Sequence, residues 1–373
     1  MKYYIIAGEP SGDLHASNFM KELKLLDNNA EFCFLGGDLM EQVASRKPTI
    51  HIKQMAFMGF VDVAKNISKI KKNFKIVKED IVKYNPDVVI LVDYPGFNLR
   101  MAKWAKLKGF KVFFYISPTV WAWKEGRVEI IKKFVDKLFV ILPFEKAFYK
   151  KHNYDVDFVG HPLLDAVEDR KKTLLSKEEF YQKNKLNSKP VIAILPGSRK
   201  QEINYMFDMM LEIVDDFKEY QFVIAGTDNL PINVYDKAKA KGVTVVFNQT
   251  YELMNYALAG VIKSGTSTLE SALFDLPEVV CYKGGSLSFA IAKTLINTKF
   301  ISLPNLIMDK PVVKELIQKD MTTANIKSEL NELLNNKAYR EELLKNYKEL
   351  KTQLGGLGAS KRVAVEIHKA LKN

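Results

Sequence analysis

Tyr3-Tyr4-Ile5-Ile6-Ala7-Gly8-Glu9-Pro10-Ser11-Gly12-Asp13-Leu14-His15-Ala16 opens the chain and decides how the rest is read. Tyr3 to Ala7 has the composition of a short buried strand. Gly8 to Gly12 is a tight loop. From Asp13 onward apolar residues recur at helical spacing (Leu14, Phe19, Leu23, Leu26), so a helix follows. Strand, glycine loop and helix begin a doubly wound α/β domain, and the loop falls outside the carboxyl end of the first strand, where open α/β sheets bind ligands. Two glycines let the backbone approach a ligand closely. Glu9, Ser11 and Asp13 place three polar groups on that rim, although Ser11 or Asp13 also suits a plain helix N-cap. Neither Gly-x-Gly-x-x-Gly nor Gly-Lys-Ser/Thr is present in the loop, so it is neither a dinucleotide fingerprint nor a P-loop.

The same pattern restarts in the second half. Pro190 to Leu195 reads as a strand, Pro196-Gly197-Ser198 as a loop, and a helix follows. Other strands are expected at 32–35, 87–92, 111–115, 137–141 and 156–159, then at 221–225, 243–247, 260–263 and 278–282. Short apolar strands alternating with amphipathic helices argue parallel sheets covered on both faces. The charged run 166–189 reads as a linker plus a surface helix. The expected organisation is therefore a first α/β domain over 1–165, the linker 166–189, and a second α/β domain over 190–356. A last helix near 357–373 follows the break at Gly355-Gly356-Leu357-Gly358.

With 373 residues, 47% of them hydrophobic and 27% charged, the chain has ample core for two domains. Cys33 and Cys281 lie far apart and form no Cys-x-x-Cys pair, which argues against a zinc site or a disulfide framework. The amino-terminal apolar run is too short for a secretory signal, and no run approaches a membrane span. A net charge of +12 fits an anionic membrane surface or phosphorylated substrates. Nucleic acid is the weaker reading, because lysine far outnumbers arginine and no nucleic-acid motif is present. Residues 66–78 place Ile67, Ile70, Phe74 and Val77 on one helical stripe among lysines. A basic amphipathic helix of this kind lies on an anionic membrane or is an ordinary domain helix with a solvated face. Met55, Phe57, Met58 and Phe60, just before it, are candidates for an apolar groove or for core.

Several positions suit chemistry. Asp93 follows the strand Val88-Val89-Ile90-Leu91-Val92, at the same sheet edge as Glu9, where a carboxylate can act as general base toward an alcohol. Ser117-Pro118-Thr119-Val120-Trp121-Ala122-Trp123 follows the next strand. In the second half, Ser198 and Arg199 stand at a helix start, where amides and a guanidinium suit a phosphate. Ser264, Gly265, Thr266 and Ser267 form another small-residue loop entering a helix, and Glu270, one turn in, can accept from ribose hydroxyls. Two such loops and an arginine favour a nucleotide-diphosphate site. Asp155-Val156-Asp157 has an Asp-x-Asp spacing but sits at a strand start, where it is solvated. The five histidines show no ligand spacing, so no metal is expected.

In the order and spacing of these motifs the chain resembles the lipid-A-disaccharide synthase family, inverting glycosyltransferases of the GT-B fold. The resemblance rests on Ala7 to Asp13, Met58-Gly59, Asp93-Tyr94-Pro95-Gly96-Phe97-Asn98, Ser117 to Trp123, Leu142-Pro143-Phe144-Glu145 and Gly160-His161-Pro162. It continues through Leu195 to Arg199, Ser264-Gly265-Thr266, Glu270 and Ser302-Leu303-Pro304-Asn305. It implies two Rossmann-like domains facing a cleft and a family reaction between UDP-2,3-diacylglucosamine and 2,3-diacylglucosamine 1-phosphate (lipid X). The products would be a β-1,6-linked disaccharide 1-phosphate and UDP. It implies Asp93 as the base on the acceptor 6-hydroxyl, with Glu9 and Arg199 completing the catalytic set. Ser11, Gly12 and Asp13 belong to the cleft loop, Ser198 and Ser264 to Ser267 to the donor loops, Glu270 to the ribose, and Asn305 to the neighbourhood of the nucleotide. No metal or other cofactor, a monomer or homodimer, and a peripheral place on the cytoplasmic face of the inner membrane of a Gram-negative cell are further implications. Many relatives carry a second acid where this chain has Gly96, which leaves Asp93 as the expected base. A UDP-sugar 2-epimerase would share the same two-domain plan.

Overall fold

The computed structural model describes residues 1–55, 67–285, 289 and 298–372. The chain divides into two units. The first comprises Met1–Asp165 and Leu354–Asn373, the second Ala166–Gln353.

The first unit holds strands β1 (Lys2–Ala7), β2 (Glu31–Gly36), β3 (Ile50–His51), β4 (Val88–Val92), β5 (Val112–Tyr115), β6 (Lys137–Val140) and β7 (Asp157–Phe158). They form one sheet in the order β3-β2-β1-β4-β5-β6-β7, with parallel pairing throughout. Successive strand residues point to opposite faces, and the core divides accordingly. Tyr4, Ile6, Val89 and Leu91 pack on one face with Val77, Ile81, Met101 and Ala105 from helices Ile67–Tyr84 and Pro95–Leu107. Tyr3, Ile5, Val88 and Ile90 pack on the other with Ala16, Phe19 and Leu23 of helix Pro10–Leu26 and with Val363, Ala364 and Ile367 of helix Ala359–Lys372. Burial on both faces is why β1 and β4 read as continuous apolar runs. The carboxy-terminal helix thus completes a layer of the first unit.

The second unit repeats the plan with β8 (Val191–Leu195), β9 (Gln221–Gly226), β10 (Thr244–Phe247), β11 (Ala259–Lys263), β12 (Glu278–Tyr282) and β13 (Lys314–Ile317). Their order is β10-β9-β8-β11-β12-β13, again parallel. In both sheets the direction of strand progression reverses beside the first strand. The two switch points lie between β1 and β4 and between β8 and β11, and such a point is where an open α/β sheet leaves a crevice for a ligand.

Three expectations change. The run 166–189 holds its expected helix, but it is part of the second unit rather than a linker before it. Helix Lys177–Lys183 opens with a capping box between Ser176 and Glu179, its Phe180 is fully buried, and that ring packs against Tyr256 of the second unit. Strands β3 and β13 escape the sequence reading because one has two residues and the other, Lys-Glu-Leu-Ile, is a sheet edge without an apolar run. The apolar stripe of helix Ile67–Tyr84 faces inward. Val77 and Ile81 are core, and Phe74 packs on Phe97 with ring centroids 4.1 Å apart. Ile70 is half-buried, Ile67 is exposed, and Met55 is buried beside Asn73, whose side-chain amide donates to its sulfur. Met55 is therefore core, and Phe74 is half-buried against that core. Phe57, Met58 and Phe60 lie outside the described residues.

Candidate functional site

The first constellation sits at the β1/β4 switch point. The pairing Ala7↔Val92 ends the two strands level, which sets Gly8 beside Asp93. The Tyr94 ring lies where a Gly8 side chain would go, so this contact requires glycine. Asp93 and Tyr94 both take left-handed backbone (φ 46° and 49°), turning the chain sharply off the strand. Asn98 holds that turn. Its fully buried side-chain amide lies within donating distance of the carbonyls of Asp93 (2.7 Å), Val92 (3.2 Å) and Ile6 (3.3 Å), tying both strand ends together. The Asp93 carboxyl is held above its ordinary range, at about 6. Burial is the main cause, the nearby charge of Glu9 adds to it, and a bond from the Tyr94 amide opposes it. No ion pair to Asp93 occurs among the described residues. Glu9 and Ser11 are exposed on the same rim. This is an ionisable group poised near neutrality, with a second carboxylate beside it.

The neighbouring strand end, after β5, builds the rest of the rim. Ile116 takes φ 66°, a strained conformation for a β-branched residue that costs on the order of 1–3 kcal/mol. The loop behind it is anchored on Glu145, which is buried and accepts from the amides of Leu142 (2.9 Å) and Ile141 (3.3 Å), with Ser117 beside the same carboxyl. Burial outweighs these bonds and pushes Glu145 up to about 8. The Ser117 hydroxyl also bonds Tyr149 at 2.6 Å, and Trp121 meets Phe144 edge to face. His161 is buried, and His15, half-buried, lies near it. Burial lowers His15 to about 4 and His161 to about 3, so both stay neutral at pH 7.

The second constellation lies at the β8/β11 switch point and surrounds a cleft of about 700 Å³. Gly197, Ser198 and Arg199 line it from the loop after β8, and Gly265, Thr266, Ser267 and Glu270 from the loop and helix after β11. Helix Thr266–Leu273 points its amino terminus at this space. The Arg199 side chain is mostly exposed and approaches Glu202 at 3.6 Å. Glu270 is half-buried, and burial raises its carboxyl above the usual range against a 2.7 Å bond from the Tyr251 hydroxyl. Lys263, Glu202, Asn248 and Tyr251 also line the cleft and were missed from sequence. Lys263 had a readable signal, a lysine closing an otherwise apolar strand directly before Ser264. Tyr251 had none.

Three expected contacts are committed elsewhere. Asp13 is buried inside helix Pro10–Leu26 and accepts from the amides of Gly37 (2.7 Å), Leu39 (3.1 Å) and Met40 (3.2 Å), so it caps the neighbouring helix Asp38–Ala44. Ser264 is buried and donates to the carbonyl of Ile301. Asn305 is buried. Its amide nitrogen bonds the Val313 carbonyl and Glu315, and its oxygen accepts from the Val313 amide. Gly12 is buried against Ala7 and Val92, a packing position in the first turn of its helix. Asp157 is exposed and pairs with Lys137 at 3.4 Å. No cluster of three or more potential metal ligands occurs among the described residues.

A family model described as lipid-A-disaccharide synthetase matches residues 3–367. A lipid-A-disaccharide synthase of Coxiella burnetii (strain CbuG_Q212) is 38% identical over 369 residues, spanning 98% of this chain and 97% of the relative. One from Geobacter sulfurreducens is 36% identical over 368 residues, spanning 96% and 94%. Among solved structures, UDP-GlcNAc 2-epimerase from Neisseria meningitidis bound to UDP-GlcNAc aligns over 100% of both chains with a TM-score of 0.69 at 15% identity. The calicheamicin glycosyltransferase CalG4 aligns over 100% of this chain and 98% of its own with a TM-score of 0.58 at 14% identity. Identities this low carry the fold alone, the tandem α/β plan of GT-B enzymes. The sequence matches carry the family: the chain belongs to the lipid-A-disaccharide synthases, glycosyltransferases of lipid A biosynthesis.

Proposed function

We propose that this chain transfers the diacylglucosamine unit of UDP-2,3-diacylglucosamine to the 6-hydroxyl of lipid X, forming the β-1,6-linked disaccharide 1-phosphate and releasing UDP. Asp93 takes the hydroxyl proton while the oxygen attacks the anomeric carbon from the face opposite UDP, so configuration inverts. The observation that carries this reading is Asp93 itself, a half-buried carboxyl at a switch point, raised to about 6 and without an ion-pair partner among the described residues. Gly96 leaves open space where many relatives have a second acid, so proton abstraction rests on Asp93, with Glu9 tuning it. Arg199 and the amides of Gly265 to Ser267 meet the charge growing on the departing diphosphate. Glu270, oriented by Tyr251, accepts from the ribose. No metal is needed in this scheme.

The enzyme works in this reading as a peripheral protein on the anionic cytoplasmic face of the inner membrane. Support comes from the net charge of +12 and from the exposed lysines 71, 72 and 75 on the outer face of helix Ile67–Tyr84. No helix among the described residues is long and apolar enough to cross a membrane.

Turnover of UDP-2,3-diacylglucosamine with lipid X in detergent micelles, with EDTA present, tests the assignment. Disaccharide 1-phosphate from wild type, with a loss of at least about a hundredfold in Asp93→Ala, is expected. A folded wild type that forms no product with or without magnesium refutes the reaction. Full activity in the variant removes Asp93 as base. Co-sedimentation with anionic but not zwitterionic vesicles is expected if the membrane reading holds.

A further inference from the structure

Lys263 is the last residue of β11, and its stem passes into the cleft between the two switch-point loops. Its Cδ lies 3.4 Å from the place of a Gly197 side chain, and its ammonium lies 3.8 Å from that of Gly265. There it pairs with Glu202 at 2.8 Å, both side chains largely shielded at 18% and 17% exposure. Arg199, 68% exposed, leans on the same Glu202 carboxylate at 3.6 Å. A side chain at Gly197 would come within 2.6 Å of the other Glu202 oxygen, so that loop needs its glycine (φ 104°) to close over the carboxylate. One carboxylate is therefore shared by two cations directly under the loops whose amides line the cleft. Lys263, Arg199 and Glu202 together carry one positive charge in excess, facing a site framed by a helix amino terminus and by Glu270.

A purely structural ion pair would not require a left-handed glycine loop closed over its carboxylate, nor a second cation competing for the same oxygen. We propose that Lys263 is a further diphosphate-binding residue, that Glu202 is its built-in counter-ion, and that a nucleoside diphosphate replaces the Glu202 carboxylate on Lys263 and Arg199. This rests on reading the cleft as the nucleotide site. The physical reason is charge exchange in a confined place. An ammonium held by an internal carboxylate keeps its position, and a diphosphate, with two anionic groups and more acceptor oxygens, outcompetes a single carboxylate. The exchange sets selectivity for diphosphates, because a ligand with less charge does not repay loss of the Lys263–Glu202 pair.

The test is calorimetric titration of the full chain with UDP, UMP and uridine, comparing wild type with Lys263→Met and Glu202→Gln. Lys263→Met keeps the stem and is expected to weaken UDP at least about tenfold, the scale of one charge-assisted hydrogen bond, while uridine binding is unchanged. Glu202→Gln removes the competitor and is expected to tighten UDP about threefold or more, and UMP by more than uridine. Equal affinities of wild type and Lys263→Met for UDP overturn the proposal, as does equal weakening of UDP and uridine. Weaker UDP binding in Glu202→Gln overturns the exchange. If Lys263→Met does not fold, Glu202→Gln decides alone. A wild type that binds none of the three ligands refutes the nucleotide reading itself, whereas one that binds UDP with unaltered variants refutes only the role of Lys263.

Discussion

Glu9→Gln is the perturbation whose effect follows most directly from geometry. The Asp93 carboxyl moves from an ordinary value of 3.8 to about 6, with burial the first cause and Glu9 the second. A base with this value is about nine-tenths ionised at pH 7 and about one-tenth at pH 5, so kcat/KM should fall about tenfold between them. Neutralising Glu9 removes the smaller cause, so the acid limb should move down by less than about one pH unit, leaving the burial contribution in place. The assay is the pH dependence of kcat/KM with lipid X in micelles from pH 4.5 to 8. The acceptor phosphate also titrates near pH 6, but its ionisation cannot follow an enzyme substitution, so only the displacement between wild type and Glu9→Gln reports on Asp93. A limb that stays where it was, or moves up, refutes the electrostatic coupling. A limb that persists at pH 6 in Asp93→Asn refutes Asp93 as its source.

Further outcomes separate residues that hold the site from residues that face it. Asn98→Ala should lower stability by about 1–3 kcal/mol, since it strips a buried donor from the carbonyls of Ile6, Val92 and Asp93, and should lower kcat more than it raises KM; thermal melts and kinetics check both. Asp13→Ala should cost about 1–3 kcal/mol in a denaturant titration through three lost amide bonds while leaving KM for both substrates unchanged. Glu270→Gln should do the reverse, raising KM for the UDP-sugar about tenfold with little change in stability. Glu145 is protonated in the folded chain up to about pH 8 but only up to 4.5 when unfolded. Folding thus takes up a proton at this group between those values, so the Glu145 contribution to stability falls as pH rises from about 4.5 to about 8 and is flat outside that window. Melting curves of Glu145→Gln should lose that slope.

The chain order of its apolar runs was enough to place eleven of the thirteen strands among the described residues, because parallel strands covered on both faces leave an unbroken apolar signature. The same runs place the loops that follow β1, β4, β8 and β11, and with them Glu9, Asp93, Arg199 and Glu270, since strand polarity alone dictates which end carries each loop. Helix Ile67–Tyr84 shows where this stops. A stripe of Ile70, Phe74 and Val77 has the same period whether it meets lipid or a sheet, and only packing against Phe97 turned it inward. The division of the polar residues was likewise invisible. Asp13 and Asp93 both stand beside glycine loops, yet Asp13 is bound by amides 24 to 27 residues away and Asp93 is left without a cation. Ser264 and Asn305 are taken by Ile301, Val313 and Glu315 in the same manner. Sequence determines which chemistry a strand end can carry, because local periodicity and backbone direction are local properties. Whether a polar group remains available to a substrate depends on donors and acceptors brought to it from elsewhere in the chain, and that is settled only when the sheet and its helices pack.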